Sequence, residues 1–367
     1  MRIVAVDAIP FAIPFVKPLL FASGEVRVAE HVLVRVHTDN GVVGIAEAPA
    51  RPFTYGETQA SIVAIVRDVF APLIIGLTLL EREVVKARLD RTVGNPAAKA
   101  AVDMAMWDAT GRELGTPVTD LLGGYTDRMR VSHMLGFDDP AATLAEAQAL
   151  HASHGITTFK VKVGRTPIEL DVAVVRSLRE SLGDDVELYV DGNRGWTATD
   201  SARAMRQMRE LDLLFAEELC PADDVMGRRW LVERCDVPFI ADESAVTAAD
   251  VTREVLAGAA TAVSIKTARA GFTGSARILH LAEGLGIEVV MGNQIDGQIG
   301  SICTASFGAA HRLTSRRAGE LSAFLDMSDD LLTEPLEIRD GELVVRHGAG
   351  LGIDIDPDKL QRYRQDT

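Results

Sequence analysis

Apolar and polar residues alternate near Ile3–Pro14, His31–His37 and Val42–Glu47. A period of two marks a strand with one buried face. Asp39-Asn40-Gly41 supplies turn residues between two of these stretches, so the chain is expected to open as an antiparallel meander. Between about 57 and 115 the apolar spacing becomes helical. Asn95-Pro96 opens the last of these helices and Gly115-Thr116-Pro117 closes it. Residues 1–125 therefore read as an α+β domain.

From Arg128 onward the pattern changes. Short apolar runs at Val131–Leu135, Thr158–Val163, Val186–Val190, Leu213–Ala216, Pro238–Ala241, Ala262–Ile265 and Glu288–Met291 alternate with Ala-, Leu- and Arg-rich helical stretches. Strands that are apolar throughout and separated by helices predict a parallel sheet covered on both faces. An eighth strand near Gly319–Ser322 brings the count to that of a closed α/β barrel over residues 126–325. Gly341, Gly348, Gly350 and Gly352 punctuate residues 326–367, which read as strands and turns returning to the first domain.

Ionisable residues stand at the C-terminal ends of these strands: Lys160-Val161-Lys162, Asp191, Glu217-Glu218, Asp242-Glu243 and Lys266. The steps from Asp191 to Glu217, to Asp242, to Lys266 are 26, 25 and 24 positions, one strand-helix unit each time. These groups are thus expected at one level of the barrel, its catalytic face. A single acid there would equally cap the following helix. Three in phase suit a hard cation, Mg²⁺ or Mn²⁺, which takes oxygen ligands and keeps positions open. Lys160 and Lys162 share one face of their strand. Phe159, Val161 and Val163 must face the helices, so both lysines point into the mouth. Neighbouring cations are expected to lower their pKa values and fit one for proton transfer. Lys266 should approach from the opposite side, or else pair with a ligand carboxylate.

The 38 Lys and Arg against 53 Asp and Glu give a net charge of −15. That argues against nucleic acid or an anionic membrane as partner, but not against a small anion beside a bound cation. Cys220, Cys235 and Cys303 form neither a disulfide framework nor a zinc pattern. They read as reduced core thiols of a cytoplasmic protein. No apolar run is long enough to span a membrane.

Lys-x-Lys followed by Asp, Glu, Asp and Lys on successive strands resembles the pattern of the enolase superfamily, and within it the muconate lactonizing enzyme subgroup. Ser264-Ile265-Lys266 and Met291-Gly292-Asn293 stand where the mandelate racemase subgroup has its Asp and His. The likeness covers the whole chain. It implies a modified (β/α)7β TIM barrel, with an N-terminal α+β capping domain completed by the C-terminal segment. It also implies an isomerase that forms a metal-stabilised enolate of a carboxylate substrate, and a homo-oligomer. Asp191, Glu217 and Asp242 match the metal ligands, rather than Glu218 or Glu243. The stretches Met291–Gly300 and Glu320–Asp330 are most similar to muconate lactonizing enzymes of the anti type. The reaction expected is cyclisation of the dicarboxylate cis,cis-muconate to muconolactone, part of aromatic-compound catabolism. Lys162 would be the acid, Lys160 its neighbour and Lys266 the reserve, with Glu320 positioning Lys266. Asn193 and Asn293 would contact substrate.

Glu217-Glu218-Leu219 departs from the usual Glu-Glu-Pro or Glu-Gln-Pro, which should shift the loop and not remove the ligand. Arg51, Phe53 and Tyr55 are expected to close the site from the cap, with Phe21 and Ser23 on a second cap loop. Arg51 either pairs the free carboxylate or is an ordinary surface arginine. His133 reads as core or wall. Rival readings are a racemase or epimerase of an N-acyl amino acid or dipeptide, an o-succinylbenzoate synthase-like dehydratase, a metal-dependent barrel hydrolase and a silent scaffold. The Asp-x-Asp pair with which dipeptide epimerases grip an ammonium group is absent from Gly319-Glu320-Leu321-Ser322.

Overall fold

A computed structural model describes every residue except Ala22, Ser23, Arg346, His347 and Thr367, and leaves the Phe21 side chain undescribed. The expectation for the Phe21–Ser23 loop thus lies outside the described residues. Three antiparallel strands open the chain, β1 (Ile3–Phe21), β2 (Gly24–Thr38) and β3 (Val43–Pro49), in the order β1-β2-β3. The β1–β2 ribbon runs further than the alternation suggested, with a register shift between Pro14 and Leu19. β1 carries Pro10, Pro14 and Pro18, which an edge strand tolerates because its outer N–H groups need no partner.

The helix Pro96–Leu114 lies across β3 at backbone contact. A Cβ on Gly44 would sit 2.0 Å from the Ala105 carbonyl oxygen. The same helix buries Asp108, which accepts from the backbone N–H of Ile45 at 2.8 Å and of Leu351 at 2.7 Å. One side chain therefore joins the first sheet, the helix and the C-terminal segment.

Eight parallel strands follow: β4 (Arg128–Leu135), β5 (Thr158–Lys162), β6 (Glu187–Asp191), β7 (Leu213–Glu217), β8 (Phe239–Ala241), β9 (Ala262–Ile265), β10 (Glu288–Met291) and β11 (Gly319–Glu320). They pair in chain order from β4 to β10, and β11 pairs with β4. β11 also packs beside β10, where a Cβ on Gly319 would meet Met291 Cβ at 3.2 Å. No ladder between β10 and β11 occurs among the described residues. Tyr189, Phe215, Ile240, Ala262 and Val290 form a small core of their own. The larger core lies between strands and helices and continues into the cap.

The C-terminal segment divides its contacts. Met327 bridges to Phe15, Gly350 to Pro117 and Arg364 to Phe11, all in the cap. The hairpin of β12 (Ile338–Arg339) and β13 (Glu342–Val344) instead extends the barrel sheet, antiparallel to β4. No helix among the described residues is long and apolar enough to cross a membrane.

Gly44→Ala should destabilise the fold by about 1–3 kcal/mol, the usual cost of overpacking a closed contact. Urea denaturation against the wild type checks it.

Candidate active site

β5 is buried along its whole length. Its parity sends Phe159 and Val161 to the helices and Lys160 and Lys162 into the mouth. Lys160 Nζ lies 2.9 Å from Asp191 Oδ2, 2.9 Å from Glu217 Oε1 and 2.8 Å from Glu320 Oε1. Lys162 Nζ donates to Asp191 Oδ2 and to Asn193 Oδ1, each at 2.6 Å. Across the barrel, Lys266 Nζ donates to Asp242 Oδ2 at 2.6 Å. Parallel register sets this up, because Lys162 is opposite Asp191 and Asp191 opposite Glu217.

The electrostatics reverse one expectation. Burial would lower the Lys160 pKa, but Asp191, Glu217 and Glu320 overcome it and hold the ammonium well above its ordinary value. Lys266 is likewise raised, with Asp242 outweighing burial. Lys160 was expected to be lowered by its neighbour on the strand, but three carboxylates lie within 2.9 Å of its ammonium group. Burial opposes ionisation of Asp191, yet Lys160 and Lys162 bring its carboxyl down to about 2. Glu217 goes the other way, raised by burial and by Asp191 and Asp242 despite Lys160.

Both Glu217 oxygens are buried without a hydrogen bond. The Lys160 contact has ion-pair distance but not hydrogen-bond geometry. Three wholly buried carboxylates on adjacent strands, one of them orphaned, fit a hard divalent cation. Their ligand atoms are not gathered within 4.8 Å; among the described residues only His133, Glu146 and Asp326 are. The lysine ammonium groups instead stand between the acids.

Glu218 is accounted for structurally. Its Oε2 accepts from the backbone N–H groups of Asp242 and Ser244 and from Ser244 Oγ. Its left-handed φ of 37° turns it behind the mouth while Glu217 stays in it. Glu243 does line the cleft, and its carboxyl is pushed up to about 8 by burial and by Asp242.

The cap residues separate. Arg51 lines the cleft, and its Nε is buried with no partner. Phe53 does not join it: it is 82% exposed, and Thr54 takes the place expected for it. Four residues of helix, Pro52–Tyr55, put successive side chains on different sides. Tyr55 sits behind the cleft, its hydroxyl accepting from Arg269 Nη1 at 3.1 Å and Gln294 Nε2 at 2.7 Å. Asn193 and Asn293 both line the cleft. Glu320 contacts Lys160, not Lys266 as expected, because β11 pairs with β4 beside β5. His133 is wall: it is buried, and its Nδ1 lies 2.9 Å from Ser322 Oγ.

Arg269 was missed. Its Nη1 donates to Asp242 Oδ1 at 2.8 Å, opposite Lys266 on the same carboxylate. The signal was an arginine in the first turn of the helix Thr267–Leu285, where the helix dipole disfavours a cation unless an acid holds it.

Family models match both parts of the chain. The model described as mandelate racemase / muconate lactonizing enzyme, N-terminal domain, matches residues 5–123, and enolase C-terminal domain-like matches residues 142–359. The chain belongs to the enolase superfamily. It is an isomerase of that superfamily's muconate-lactonizing branch. A crystal structure of muconate lactonizing enzyme from Mucobacterium smegmatis, complexed with muconolactone, is 70% identical over 100% of both chains, with a TM-score of 0.99. The L-Ala-D/L-Glu epimerase of Bacillus subtilis is 30% identical, covering 96% of this chain and 97% of its own. Muconate cycloisomerase 1-2 of Acinetobacter lwoffii is also 30% identical, covering 100% and 96%.

Arg269→Ala should cost about 3–5 kcal/mol, since it breaks a buried ion pair and leaves Asp242 only its Lys266 partner, whereas Phe53→Ser should stay within about 0.5 kcal/mol. Paired denaturation curves check both.

Proposed function

We propose that this enolase-superfamily isomerase is a muconate cycloisomerase, converting cis,cis-muconate to muconolactone. The observation that carries the reading is the cleft itself. It presents Lys160, Lys162 and Lys266 in the barrel and a guanidinium in the cap whose Nε has no partner, which suits a dicarboxylate. At 30% identity the relatives divide between epimerases and cycloisomerases, so that level of likeness does not choose. The full-length likeness at 70% is to a muconate lactonizing enzyme, which supports the cycloisomerase.

Asp191, Glu217 and Asp242 would hold Mg²⁺ or Mn²⁺. When bound, that cation supplies Lewis-acid stabilisation of negative charge on a substrate carboxylate. The chain's own residues do the rest. Arg51 pairs the distal carboxylate and aims it at the conjugated double bond. A carbon–oxygen bond forms, and the displaced electron pair moves to the proximal carboxylate as an enolate. Lys160 lies beside that charge as a fixed cation. Lys162, oriented by Asn193, delivers the proton that completes the lactone at the α-carbon. Asn293 lines the wall opposite.

A second reading has one observation of its own. Lys162 and Lys266 reach the same cleft from different acids, Asp191 and Asp242. Two opposed lysines would serve a racemase of an N-acyl amino acid.

Purified protein with Mn²⁺ should consume the diene absorbance of cis,cis-muconate, and chelator should stop it. Lys162→Ala should lower kcat by about 10²–10⁴, the usual worth of a general acid. Glu217→Gln should lose the thermal shift that Mn²⁺ produces. A normal Mn²⁺ shift without any diene loss would sink the cycloisomerase. Deuterium exchange into N-acyl amino acids would then be measured.

A further inference from the structure

The seam between cap and barrel contains a buried carboxyl group that the proposed reaction does not use. Asp296 lies in the loop 292–297, which joins β10 to the helix Gln298–Ala310, and is 1% exposed. Its Oδ2 accepts from Asn293 Nδ2 at 3.0 Å. Its Oδ1 is buried with no hydrogen-bond partner. Glu47, from β3 of the cap, is equally buried. Its Oε1 accepts from the Gly297 N–H at 2.7 Å and lies 2.9 Å from His31 Nδ1. A Cβ at Gly300 would sit 3.0 Å from Asp296 Cγ and 3.2 Å from Glu47 Oε1. Both carboxyl groups therefore crowd one point that glycine keeps clear.

The loop they border is strained. Ile295 has a φ of +61°, which is costly for a β-branched residue. Asn293, Gln294 and Ile295 all line the cleft. The cap grips this loop from two sides, through Glu47 on Gly297 and through Tyr55 on Gln294.

We propose that Asp296 is a positioning residue that keeps its proton in the dry seam beside Glu47, and that the neutral carboxyl lets the cleft-lining loop hold its strained form against the cap. An ionised Asp296 would be an unpaired anion beside a second anion in a dry seam. Neither neighbouring basic side chain pairs with it: His31 from β2 contacts Glu47, and Lys266 contacts Asp242. Arg51 on the cap loop faces Asp296 without a bond to it, and Cys303 from the helix Gln298–Ala310 is the remaining titratable group against it. Burial and Glu47 push the Asp296 carboxyl up to about 7. The inference goes beyond the assigned reaction and does not depend on which substrate is turned over.

A carboxyl raised by folding favours the folded state fully below its unfolded value of 3.8, and that advantage is lost as pH rises to about 7. Asp296→Asn carries no such proton. Its stability relative to wild type should therefore rise across this window and level off above it. The protonated-carboxyl stretch in the wild-type infrared spectrum, to which Glu243 also contributes, should lose one component in the variant. The wild-type KM should climb as Asp296 ionises, while that of D296N should not follow. A D296N-to-wild-type stability difference that is the same at both ends of the window, or an unchanged infrared band, overturns the proposal. Should D296N fail to fold, Glu47→Gln carries the test. Removing that charge lets Asp296 ionise sooner, so the band component missing from D296N should vanish at lower pH than in wild type, and an unmoved component overturns it.

Discussion

The mouth of the barrel balances buried acids against buried bases. Asp191, Glu217, Asp242, Glu243 and Glu320 face Lys160, Lys162, Lys266, Arg269 and, from the cap, Arg51. A single buried ion without a partner costs several kcal/mol. Each charge is therefore tolerable only because its neighbours are present. This constraint explains the interleaving, with ammonium groups lodged between carboxylates. It also bears on what can enter. A divalent cation adds positive charge to this mouth, and a dianion offsets it.

The cap completes this balance. Tyr55 supports Arg269, which holds the second oxygen of Asp242. Arg51 adds a cation that the barrel does not supply. The cap is in turn fixed by the C-terminal segment, through Asp108 on Leu351 and through the bridges to Phe15 and Pro117. A chain that leaves the cap, builds the barrel and returns makes the two parts one structure. The low dielectric that strengthens charges in the mouth depends on that closure.

What was legible in the sequence was what repeats. Period-two runs, helical spacing and steps of one strand-helix unit place Lys160, Lys162, Asp191, Glu217, Asp242 and Lys266 at one level without any knowledge of contacts. What was not legible depends on tertiary neighbours. Glu320 was expected to position Lys266, whereas barrel closure puts β11 next to β4 and so near Lys160. Arg51, Phe53 and Tyr55 looked alike in one loop. A single helical turn sends one to the cleft, one to solvent and one behind the wall. The expected lowering of the Lys160 pKa is reversed because the sequence shows neighbours along the strand and not acids across it.

The two lysines of β5 differ in a way that bears on their proposed roles. Lys160 touches three carboxylates and is held well above its ordinary pKa. A proton so stabilised is a poor one to give away, so Lys160 suits a fixed charge. Lys162 stands nearer the opening, and one of its acceptors is the neutral amide oxygen of Asn193. An amide oxygen orients an ammonium group through a neutral hydrogen bond, beside the one that Asp191 accepts. Two residues apart on one strand, the same side chain is fitted for two tasks, and the difference lies wholly in what each one faces.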